Sequence, residues 1–127
     1  LSVAGVSRVE VVGARIYLAT QGGLDIWERA AGGDLRAVGR VATPRPLVDV
    51  AIAGSLAYLL GEDALLQVLD IADIAAPRLL AAQDLPGVGA SLRVLGDQAL
   101  VAARGGGFYR LTVPRGLAAA YLPSLAR

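Results

Sequence analysis

Apolar and polar residues alternate with period two in short runs along most of the chain, and turns separate the runs. In SRVEVVG (Ser7 to Gly13), Val9 and Val11 share one face, while Arg8, Glu10 and Val12 share the other, the alternation of a β-strand. A tight turn at Gly13-Ala14 leads into RIYLAT, a run rich in β-formers. Gln21-Gly22-Gly23 turns again into LDIWERA, because glycine reaches the positive φ that hairpin turns need. After a loop at Gly32-Gly33-Asp34, a fourth run, LRAVGRV, stops before Pro44 and Pro46.

This order of four strands recurs. Gly13 maps onto Gly54 at an offset of 41 and then onto Gly96 at 42, and Tyr17 maps onto Tyr58 and Leu100 in the same way. Leu24 maps onto Leu66 and Phe108 at 42 each time, and Arg36 with Pro44 maps onto Arg78 with Pro86. A period of about 42 residues holding four short strands is the size of one β-propeller blade. Helical repeats of that length would show a 3.6-residue apolar period instead. The expected fold is therefore all-β: about three four-stranded, propeller-like blades forming an incomplete ring. Residues 1–6 read as the tail of a preceding blade or a linker. Residues 7–47 form blade 1, 48–89 blade 2, and 90–127 blade 3, whose last segment, near Ala118 to Leu122, reads as a fourth strand or a short terminal helix.

The second unit carries a resemblance. LQVLDIADIAAPRLL (Leu66 to Leu80), with Asp70, Asp73 and Pro77 at a strand-to-strand corner and VAIAGSLAYLLG before it, resembles the LVIVD-type repeat of bacterial and archaeal surface propellers. The first unit matches in part and the third poorly, with Glu28 and Thr112 in place of the strand-end Asp. The resemblance implies a propeller and a surface, periplasmic or secreted location. It implies no specific activity, because such propellers carry unrelated functions.

Composition agrees with stacked blades. Of 127 residues, 55% are hydrophobic and 18% charged, a more apolar balance than is usual, as expected where inner strands lose water on both faces. No apolar run reaches the roughly 18–20 residues of a spanning helix, so no membrane span is expected. The chain starts at Leu1 and contains no Met, which reads as a processed or excised piece. All 12 basic residues are Arg, as in a GC-rich bacterial genome, and they are dispersed at a net charge of +1. Nucleic acid would call for a basic stripe, and none is present. Three blades fall short of the typical 4–8 of a closed ring, so further blades of a parent chain or a homo-oligomer is expected to complete it.

Candidate chemistry is sparse. With no His and no Cys, the His-based triads, Cys nucleophiles and His- or Cys-ligated zinc sites are excluded, so neither an enzyme nor a cofactor site is expected. Asp70 and Asp73 have a functional reading as oxygen ligands for a hard cation. The favoured reading has both carboxylates accepting backbone N–H bonds at the corner. The Gly105-Gly106-Gly107 run matches the turn at Gly22-Gly23, and no phosphate-loop motif follows it. Trp27 reads as packing between blades, with a stacking or hot-spot role as the alternative. In a propeller the turns between second and third strands share a rim with the blade-to-blade linkers. The possible binding rim is therefore Gln21, Arg45, Glu62, Asp63 and Arg104, with Trp27 as the single Trp. A protein-interaction scaffold is the first expectation, and a lectin-like module that closes its ring by self-association is the alternative.

Overall fold

The computed structural model describes residues 5–113. Eleven described strands form three antiparallel sheets in simple up-and-down order. The first contains β1 (Val6–Val12), β2 (Arg15–Thr20), β3 (Gly23–Arg29) and β4 (Leu35–Ala42). The second contains β5 (Leu47–Ala53), β6 (Leu56–Gly61), β7 (Leu65–Asp70) and β8 (Arg78–Asp84). The third contains β9 (Val88–Leu95), β10 (Gln98–Arg104) and β11 (Gly107–Thr112). A fourth strand near Ala118 to Leu122 lies outside the described residues. Leu47 pairs with Gly61, and Val88 and Gly89 pair with Arg104 and Ala103, so these residues join the blade that follows them.

The repeat seen in the sequence is a repeat of backbone detail. Gly13, Gly54 and Gly96 close the first turn of each sheet with φ of 60°, 59° and 62°, a left-handed conformation that a side chain resists. Each innermost strand carries a one-residue bulge, leaving Ser7, Val48 and Ala90 out of the pairing with the second strand. Between the third and fourth strands a second bulge recurs, at Val38 and Leu80. Bulges sharpen strand twist, and blades depend on strong twist.

The sheets stack face to face, and contacts between them concentrate at the innermost strands β1, β5 and β9. Two apolar layers result. Tyr17, Ala19, Leu24 and Ile26 of blade 1 pack on Val50, Ala57, Leu59 and Leu69 of blade 2. Tyr58, Leu60, Leu66 and Val68 of blade 2 pack on Leu92, Ala99, Val101 and Leu111 of blade 3. Consecutive residues of β6 thus point into different layers, Ala57 and Leu59 toward blade 1 and Tyr58 and Leu60 toward blade 3. A strand buried on both faces must be apolar throughout, and that accounts for the composition. At the periphery Gly39 of β4 runs so close to the Ile74 carbonyl of blade 2 that an added Cβ would lie 2.5 Å from that oxygen.

Candidate functional site

The expected rim is assembled. The turns between second and third strands lie against the blade-to-blade linkers, because backbone bonds tie them together. The Gln21 N–H donates to the Gly5 carbonyl at 3.1 Å and, one unit later, the Glu62 N–H donates to the Pro46 carbonyl at 2.9 Å. Thr20 shapes the first turn: its hydroxyl donates to the Gly23 carbonyl and accepts from the Gly22 and Gly23 amides. In the second turn the Asp63 carboxylate accepts the Leu65 N–H at 3.3 Å, and Ala64 takes φ of 61°, a strained value for a residue with a Cβ. Arg45 and Glu62 are brought together as an ion pair at 3.0 Å. The Gln21 side chain lies over Gly5. Arg104 ends β10, exposed, where its carbonyl lies close to Gly87 of the next linker.

Trp27 does not belong to this rim, nor does it lie between described blades. It pairs with Ile16, which pairs with Val11, so all three share the face of blade 1 that points away from blade 2. Its indole Nε1 is buried without a hydrogen-bond partner. Packing between blades was the expectation for Trp27, and no described blade covers this face.

The Asp corner is a joint. The Asp70 carboxylate accepts the Ala72 N–H at 2.9 Å and pairs with Arg78 at 3.2 Å, and the Asp73 carboxylate accepts the Ala75 N–H at 3.2 Å. The Ala72 amide holds the Asp70 carboxyl below its ordinary range; desolvation opposes it, and the hydrogen bond and charge of Arg78 each add a smaller lowering effect. Blade 1 repeats the pair with a longer acid: Glu28 meets Arg36 at 3.4 Å, at positions equivalent to Asp70 and Arg78.

One cluster escaped the sequence reading. Asp49 follows the bulge of β5 and is only 3% exposed. Its Oδ1 accepts the Val50 N–H at 2.9 Å and meets Arg8 Nε of blade 1 at 3.0 Å, and its Oδ2 accepts the Leu92 N–H of blade 3 at 2.8 Å and lies 3.5 Å from Arg93. A single carboxylate therefore links the innermost strands of all three sheets. The signal in the sequence was an acid inside an otherwise apolar strand, LVDVAIA, where a charge survives burial only if it is paired and hydrogen-bonded. Tyr58, in the apolar layer between blades 2 and 3, has its phenol pushed above the ordinary value by burial and, secondarily, by the charge of Asp97.

No protein-family model matches the sequence, and no curated protein matches it. Solved structures do match in fold. A chain in the S. cerevisiae complex of a Dbp5 variant bound to Nup159, a Gle1 variant, IP6 and ADP is similar with a TM-score of 0.59 at 18% identity over 88% of this chain. The N-terminal domain of Nup159 is similar to the same degree. This chain spans 28% of the length of each. These neighbours are β-propellers, and the three unclosed sheets described above are blades of that fold.

Proposed function

We propose that this chain is a non-catalytic propeller module of the LVIVD type, from a bacterial surface or secreted protein, that presents its rim to a protein partner. The observation that carries the reading is the rim itself. Repeated backbone bonds fix its frame at Gln21 and Glu62, while the side chains displayed on that frame change from blade to blade: Gln21, then Glu62 with Asp63, then Arg104. A constant frame with varying polar display is how rigid scaffolds carry recognition on loops. The similar complex in which Nup159 is found with protein partners gives this reading a precedent in fold.

The test pairs a glycan array with capture from native extract, using the wild-type chain and the rim variants Arg45→Glu and Arg104→Glu. A protein retained by wild type and lost by the rim variants, with no glycan bound, is the expected result. Saturable glycan binding without a protein partner would reverse the reading in favour of a lectin-like module.

A further inference from the structure

The two outward sheet faces of this chain carry the same repeat positions as the two halves of its internal blade-to-blade joints. On blade 1 the outward face carries Val9, Val11, Ile16, Leu18 and Trp27, and register places these at the positions of Val50, Ile52, Ala57, Leu59 and Leu69 of blade 2. Those blade 2 residues are the ones that receive blade 1. On blade 3 the outward face carries Leu100, Ala102, Phe108 and Arg110, at the positions of Tyr58, Leu60, Leu66 and Val68, which are the ones that seat on blade 3. The same position is thus 0% exposed at Leu66 and 69% exposed at Phe108, and Val11 is 61% exposed. Apolar surface of this extent and continuity marks an interface.

We propose that two copies of this chain close a six-bladed ring head to tail, with the blade 3 face of each seated on the blade 1 face of the other. Closed rings typically hold about 4–8 blades, and two copies of the three described sheets fall within that range. The substitutions on the two faces fit one another. Arg110 replaces the aliphatic Ile26 and Val68 of the internal joints, and the receiving face offers Trp27 in place of Leu69 and Asp25 in place of Gln67. A guanidinium fits over an indole face and beside a carboxylate. Asp25 already meets Arg40 at 3.4 Å, so Arg110 would join an existing pair. The joint leaves the rim residues untouched, and this inference stands or falls apart from the proposed rim partner.

Sedimentation equilibrium of the wild-type chain at micromolar concentration is expected to give twice the 13.0 kDa chain mass. Val11→Asp and Phe108→Asp alter exposed positions on opposite faces, so each variant keeps the fold by circular dichroism. An aspartate buried in a joint without a partner is expected to disable that joint, so each variant, altered in both joints of the pair, is expected to lose self-association at the concentration where the wild type pairs. Mixing the two variants leaves one intact joint, so the mixture is expected to recover a two-chain species that neither variant forms alone. A monomeric wild type, a polymer that does not stop at two copies, a dimer that withstands either variant, or a mixture that fails to recover would each overturn the proposal.

Discussion

The carboxylate of Asp49 accepts the backbone N–H of Leu92 across the boundary between two blades, at 2.8 Å, while its other oxygen meets Arg8 of the third sheet involved. Both oxygens and both neighbouring blades depend on that side chain. Asp49→Ala strands the buried Val50 and Leu92 amides, each a loss of about 1–3 kcal/mol, and is expected to lower stability by about 2–6 kcal/mol in all. Asp49→Asn keeps an acceptor and loses less. Urea unfolding should show the shift in midpoint at an unchanged slope.

The pair Leu66 and Phe108 separates burial from residue type, since both occupy one repeat position. Leu66→Ala opens a cavity in the layer between blades 2 and 3 and is expected to cost about 2–5 kcal/mol. Phe108→Ala, measured at a dilution where the chain is monomeric, is expected to change stability by no more than about 0.5 kcal/mol. Equal losses at the two sites would contradict the exposure of Phe108.

At Gly54 the argument concerns backbone alone, because φ is 59° and nothing stands within 4 Å of an added Cβ. Gly54→Ala is expected to cost about 1–2 kcal/mol from the left-handed conformation, and Gly54→Asn less, because Asn tolerates that region better. Thermal melts of the two variants check the order.

Protonation should loosen the Asp corner only in acid. The folded-state pKa of Asp70 is depressed, so its contribution is fully present above the unfolded-state value, and it is lost as pH falls through the lower folded-state value. The Ala72 amide shift is therefore expected to titrate below the ordinary aspartate range, and Asp70→Ala to remove that titration. A midpoint at or above about 3.9, the free aspartate value, would count against the Asp70–Ala72 bond.

The rim ion pair between Arg45 and Glu62 is partly solvent-exposed, and such pairs contribute about 0–1 kcal/mol. Arg45→Glu is accordingly expected to leave the melting temperature nearly unchanged. Any loss of partner capture by this variant then reports on recognition and not on folding.

The parts of this structure that repeat were legible in the sequence. Gly13, Gly54 and Gly96 kept their spacing because each turn needs the same φ, and Tyr17 and Tyr58 kept theirs because each packs at the same position of successive layers, Tyr17 between blades 1 and 2 and Tyr58 between blades 2 and 3. The Asp70 corner was legible because its bonds are local, reaching only to Ala72 and Arg78. Asp49 was not, since its partners lie on strands more than 40 residues away and the equivalent position in blade 1 is Arg8, so no repetition pointed to it. Trp27 was half legible: period two fixes which side of a sheet a residue is on, and only the stacking order shows whether another sheet lies there.

The bulges at Ser7, Val48 and Ala90 have a bearing on how such a chain can grow. An extra residue reverses the side on which every later position falls, so Leu47 and Val50, three apart, both enter the layer shared with blade 1. A deletion at Val48 would send one end of β5 to the wrong side. Copying a complete unit, irregularities included, preserves every facing. Whole modules can therefore be added or removed without disturbing any facing, whereas the insertion or deletion of one residue inside an inner strand reverses the facing of part of that strand.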